Sequence, residues 1–159
     1  MIISCVAIDV AMVSSLNAVR GNVHEHVRHW GFGEHADDAA LIVTELLGNA
    51  FRHGRPPVRV WLTADDGDGR PALRIGVSDA GPALDVDLLR CKWRHPCGGL
   101  STDGRGLRLV DALSRSWGDQ PRDAGHTVWA ELDCDRRRDA NDGCRRRRSD
   151  AVSAVPMAR

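Results

Sequence analysis

Between positions 37 and 53, Ile42, Val43, Leu46, Leu47 and Ala50 recur every three or four residues. That period predicts an amphipathic helix whose apolar stripe has to lie on another layer. Glu45 and Asn49 sit one turn apart on the same helix, so their side chains share a side. Polar groups beside an apolar stripe cost free energy unless they are paired. The pair therefore has two readings. It is a solvated face, or it is a carboxylate and an amide held together for one metal–phosphate centre.

The neighbouring segments say what the helix packs on. Residues 1–10 form a β-rich apolar run that reads as an edge strand. A first helix is predicted over 13–30, with Leu16, Val19, Val23, Val27 and Trp30 on one face and Gly31 as its stop. Asp37 or Asp38 is the expected cap of the second helix, and Gly54 its C-terminal stop. Strands are expected over 58–64 and 72–78, joined by the polar turn Asp65-Asp66-Gly67-Asp68-Gly69. A short helix over 86–90 and a long excursion containing Gly98-Gly99 follow; such an excursion suits a functional lid. A third helix is expected over 105–114. Trp117-Gly118 opens a further strand or turn, and 126–132 is the closing strand. The expected fold class is α/β: a two-layer sandwich with a mainly antiparallel mixed sheet and helices on one face.

Length and charge set the outer limits. The 159 residues fit one domain, expected over 1–135, and can bury a core without metal or disulfide help. Residues 136–159 hold eight arginines against three aspartates, a net of +5 that leaves −5 for the rest of a neutral chain. This arginine-rich tail reads as disordered. A nucleic-acid partner is not expected, because the body shows no matching basic patch. No run of about 18 apolar residues exists, so no membrane span is expected. The opening Met1-Ile2-Ile3-Ser4-Cys5 has no basic leader and is not read as a signal peptide, which makes the cytoplasm the expected compartment. Five scattered cysteines argue against a disulfide framework. Cys91, His95 and Cys97 lack the spacing and the fourth ligand of a zinc site.

Three separated segments ask for one explanation. Asp79 ends a strand, with Gly81 after it, and a carboxylate there can accept a hydrogen bond from an exocyclic amine. Gly104-Arg105-Gly106 opens a helix, where exposed N–H groups attract phosphate. Asn49 can ligate Mg²⁺ through its amide oxygen, and Glu45 can orient or deprotonate an attacking hydroxyl. Each segment alone also reads as a turn, a tight helix start or a surface pair.

Taken in order, these segments resemble the boxes of the GHKL ATPase superfamily. Glu45-Leu46-Leu47-Gly48-Asn49-Ala50 with His53-Gly54 is similar to its N box. Val77-Ser78-Asp79-Ala80-Gly81-Pro82 is similar to the box whose aspartate reads adenine. Gly104-Arg105-Gly106-Leu107-Arg108-Leu109-Val110 is similar to the glycine-rich box around the phosphates. Gly125-His126-Thr127-Val128-Trp129 resembles the closing strand, with Thr127 matched to a threonine near the adenine pocket. The narrower likeness is to the anti-sigma-factor serine/threonine kinases of the RsbW/SpoIIAB type, in their single-domain actinomycete branch.

The resemblance implies a Bergerat (GHKL) fold and an ATP-binding, Mg²⁺-dependent serine/threonine protein kinase with Glu45 as its catalytic residue. Its implied nucleotide-binding residues are Asn49, Arg52, His53, Asp79, Gly81, Gly104, Arg105, Gly106, Leu107 and Thr127, with Asn49 on the metal. His53 either contacts phosphate or packs behind the pocket. The implied partners are an anti-sigma-factor antagonist of STAS-like type, a sigma factor and a second copy of the chain. Ala83 stands where the family often carries glycine, and the 91–100 stretch departs from the usual pattern. Those departures suit an alternative, a non-catalytic ATP-binding partner-switching module.

Overall fold

The computed structural model describes residues 2–10, 15–65, 71–94 and 105–134. The polar turn at 66–69, the second half of the excursion with Cys97 and the Gly98-Gly99 pair, Gly104, and the arginine-rich tail lie outside the described residues. Strand β1 spans Ile2–Asp9, helix α1 Leu16–His29 and helix α2 Ala36–His53, with a short 3-10 turn at Gly33–His35 between the helices. Strands β2 (Arg59–Asp65) and β3 (Ala72–Asp79) follow. Helices α3 (Val86–Arg94) and α4 (Arg105–Leu113) precede strands β4 (Ser116–Arg122) and β5 (Gly125–Asp133).

The five strands lie in the order β1-β2-β3-β5-β4, and all four pairings are antiparallel. Strand alternation sorts the side chains into two faces. Val60, Leu62, Ala64, Leu73, Ile75, Val77, Val128, Ala130 and Leu132 are buried against the helical layer. The opposite face carries one cross-sheet row, Ala7, Trp61, Gly76, Trp129 and Gly118, set by the strand register. The Trp61 indole lies over Gly76 and the Trp129 indole over Gly118. The expected α/β sandwich with helices on one face is the observed architecture.

Helix α2 is the centre of the helical layer, touching α1, α4, β3 and β5. Its whole apolar stripe, Ile42, Val43, Leu46, Leu47 and Ala50, is buried, joined by Ala36, Ala39 and Ala40. Against it α1 sets Val19, Val23 and Val27. Helix α1 starts later than position 13 because the Ser15 hydroxyl caps it, accepting from the Ala18 N–H at 3.2 Å. Gly31, at φ 87°, takes the left-handed turn that stops it.

The cap of α2 differs from expectation. His35 occupies the N-cap position without a side-chain bond, and Asp37 and Asp38 lie inside the first turn. There they favour the positive end of the helix dipole rather than closing a cap. Gly54 ends the helix in an extended conformation open to any residue. Its lack of a Cβ serves another purpose, described below.

Helix α3 runs a turn further than position 90. Trp93 packs on Trp117 at 5.9 Å, the Arg90 guanidinium stacks over Trp117, and Arg108 donates to the Trp93 carbonyl at 3.1 Å. Among the described residues no helix is long and apolar enough to cross a membrane.

Candidate functional site

The site is built along α2, with one cluster at its middle and one at its C-terminal end. Glu45 and Asn49 occupy its middle, both half-buried beside the fully buried Leu46 and Leu47. The Glu45 carboxylate lies directly against Gly106, the second residue of α4. A methyl group at Gly106 would occupy the space that Oε2 fills. The amides of a helix's first turn have no intrahelical acceptor, and in α4 these belong to Arg105, Gly106 and Leu107. Tertiary packing therefore brings the predicted carboxylate to the predicted phosphate-binding helix start.

Asp79 forms the other cluster. It is 6 % exposed. Its Oδ1 accepts from the Gly81 N–H at 2.6 Å and the Arg55 N–H at 3.2 Å. Gly54, at the end of α2, packs directly on this carboxyl group, and Gly81 closes on both. A side chain at either glycine would displace the carboxylate. Gly125, at φ 120°, presses on the Asp79 backbone carbonyl. Three glycines thus shape one acid, and the glycine requirement at 54 comes from the site rather than from helix stopping.

The other predicted residues divide. Arg52, His53 and Arg105 are exposed on the rims of α2 and α4, and the Arg52 guanidinium folds back over Gly48. Leu107 is buried in the core, so its side chain serves packing and only its backbone amide can meet a ligand. Gly104 lies outside the described residues. Thr127 needs correction. Register pairs it with Ser78, one residue off the Asp79 row, which turns its side chain to the helix-free face. It is fully buried, its hydroxyl shared with Ser78 at 2.8 Å and Arg122 at 2.7 Å.

His126 stands where Thr127 was expected. It pairs directly with Asp79 across β3 and β5, with Nε2 3.2 Å from Asp79 Oδ2. Its Nδ1 is 2.7 Å from Asp119 Oδ1, and Asp119 Oδ2 accepts the Leu84 N–H at 2.6 Å. The signal for His126 was present in the sequence: it continues the alternation of Val128, Ala130 and Leu132. Asp119 left no comparable signal, since β4 is a poor strand by composition.

The residues fit a nucleotide better than a resident metal. Gly54 and Gly81 pack on the Asp79 carboxylate, and Gly106 packs on the Glu45 carboxylate at the start of α4. Among the described residues, no three His, Cys, Asp or Glu side chains gather as a metal set. An ion at Asn49 would take one protein oxygen and draw the rest of its shell from phosphate and water, as Mg²⁺ commonly does.

The sequence model of the histidine kinase-like ATPase domain family matches residues 10–132. No curated protein matches the chain. Among solved structures, the histidine kinase domain of the blue-light activated histidine kinase from Erythrobacter litoralis EL346 is similar at 22% sequence identity and a TM-score of 0.43. The alignment covers 75% of this chain and 61% of that one. With the sandwich fold, the Glu45–Gly106 contact and the Asp79 cluster in place, the family match is decisive: the chain belongs to the histidine kinase-like ATPase domain family, with a fold of the GHKL type.

Proposed function

We propose that the protein is an ATP-binding regulatory serine/threonine protein kinase of the anti-sigma-factor type. The observation that carries this reading is the placement of two clusters on one helix. Gly54 at the Asp79 cluster and Glu45 at the Gly106 contact are nine residues apart, or about 14 Å along α2. That separation suits an extended nucleotide, with its base at one end and its terminal phosphate at the other. Asp79 would accept the exocyclic amine of adenine. The first-turn amides of α4 would hold phosphate oxygens, and Asn49 would hold Mg²⁺. Bound Mg²⁺–ATP supplies the transferable phosphoryl group and offsets its charge. Glu45 would orient the substrate hydroxyl and take its proton.

The substrate in this reading is a serine or threonine of an anti-sigma-factor antagonist of STAS-like type, met in the cytoplasm. A sigma factor would be the second partner, and the working unit a homodimer. The test mixes the full chain with labelled ATP and a purified candidate antagonist. Label on the antagonist that disappears with Glu45→Gln, while calorimetry still finds bound ATP, supports the kinase. Absence of nucleotide binding sinks it.

One observation favours a second reading. Ala83 replaces a glycine that the family often carries in the segment beside Asp79. A non-catalytic partner-switching module would bind ATP and partner equally well with Glu45→Gln, and would leave no label on the antagonist.

A further inference from the structure

Asp79 is one end of a buried chain. His126 holds its Oδ2, Asp119 holds His126, and the Leu84 N–H holds Asp119. The three side chains are each at most 6% exposed. They tie the end of β3 to β5, to β4 and to the segment after Gly81-Pro82. The charged groups around the imidazole are Asp79 from β3 and Asp119 from β4. Arg59 and Arg122 line a cavity of about 310 Å³ that also borders His126.

The hydrogen count constrains this chain. Ionised carboxylates only accept, and a neutral imidazole carries one N–H. With a carboxylate at each nitrogen, only the doubly protonated ring donates to both. On Asp79, Oδ1 already holds two backbone donors. Oδ2 holds His126 and keeps one acceptor position. An exocyclic amine can fill that position, whereas a 6-oxo group, itself an acceptor, cannot. Without His126, nothing holds Oδ2 in place, and the carboxyl group can turn its acceptor position away from the purine.

Resting on the reading of Asp79 as the purine acceptor, we propose that His126 is the positioning residue that holds the Asp79 carboxylate with one Oδ2 acceptor position turned to the base, and so sets the preference for 6-amino over 6-oxo purine nucleotides.

The test is calorimetry on the full chain with ADP and with IDP, which differ at that purine substituent. In the unaltered protein ADP binds more tightly than IDP, by about tenfold or more for one charge-assisted hydrogen bond. His126→Ala narrows that ratio at least severalfold, mainly by weakening ADP. His126→Gln, with a permanent amide donor, restores part of it. Asp119→Asn narrows it less, because His126 remains. If His126→Ala fails to fold, His126→Gln and Asp119→Asn carry the comparison. Equal losses for ADP and IDP in folded variants, or an unchanged ratio, overturn the proposal alone. An unaltered protein that binds neither nucleotide overturns both this proposal and the reading it rests on.

Discussion

The two clusters along α2, one at its middle and one at its C-terminal end, are built in opposite ways. At the Asp79 end, one carboxylate is held by two backbone amides, an imidazole and two glycines, and the imidazole is held in turn by Asp119. At the Glu45 end, the carboxylate rests against Gly106, and neither Glu45 nor Asn49 has a side-chain hydrogen-bond partner among the described residues. The contrast follows from burial. A carboxylate deep in the fold has to be satisfied by the fold itself, since water cannot do it. A half-buried carboxylate can keep its bonding capacity for a ligand. The hydrogen-bonding capacity of the carboxylate is mostly taken up by the fold at Asp79 and, among the described residues, left unused at Glu45.

That contrast can be broken by substitution. The largest effect belongs to Glu45→Gln, which keeps shape and removes the base. Phosphate transfer to the antagonist should fall by about 10²–10⁴-fold while ADP affinity stays within about threefold. A parallel loss of affinity in calorimetry would mean that Glu45 serves binding, and the division between the ends would fail.

Asp79→Asn is next. It removes a charged acceptor and, with its carbonyl still accepting from the Gly81 and Arg55 N–H groups, turns its NH2 toward His126. ADP affinity should drop by about 100-fold, with a few kcal/mol of stability lost in urea unfolding. Unchanged affinity would remove the base-reading role from this end.

Gly106→Ala tests the open end sterically. The added methyl meets the Glu45 carboxylate. Stability should fall by about 1–3 kcal/mol unless the side chain swings away. ATP affinity should suffer more than adenosine affinity, because the damage sits at the phosphate end. Equal losses for both ligands would show that the two ends do not act separately.

The smallest effect is a control remote from both. Cys134 lies just past β5, at the opposite end from His126, and burial pushes its thiol up to about 11. Because the folded value lies above the unfolded one, its contribution to stability is full below pH 9.0 and is lost as pH rises to about 11. Urea midpoints should decline across that window, and less so in Cys134→Val. Nucleotide affinity should not differ between the two proteins at neutral pH.

Much of the fold was legible because its elements are strongly periodic. The stripe of Ile42, Val43, Leu46, Leu47 and Ala50 gave α2, and the alternation of Val58, Val60 and Leu62 gave β2. Boundaries slipped where a cap decided them, as at Ser15 and at His35. The site was legible as separate pieces. Glu45, Asp79 and Gly106 stood out by residue type and local context. Matching Thr127 to the family by residue type did not fix its register, and the strand pairing sets it opposite Ser78, one residue off the Asp79 row.

By itself, the sequence determined which residues could be core, which could bond a ligand, and that helices would cover one face of a sheet. These follow from local periodicity and side-chain chemistry. Only the tertiary structure decided that Glu45 meets Gly106 and that Gly54 is small for the sake of Asp79. It also decided that His126, rather than Thr127, holds the acceptor, with Asp119 behind it. These contacts join positions far apart in the chain. Strand register and helix packing set them together, and no local pattern carries that information.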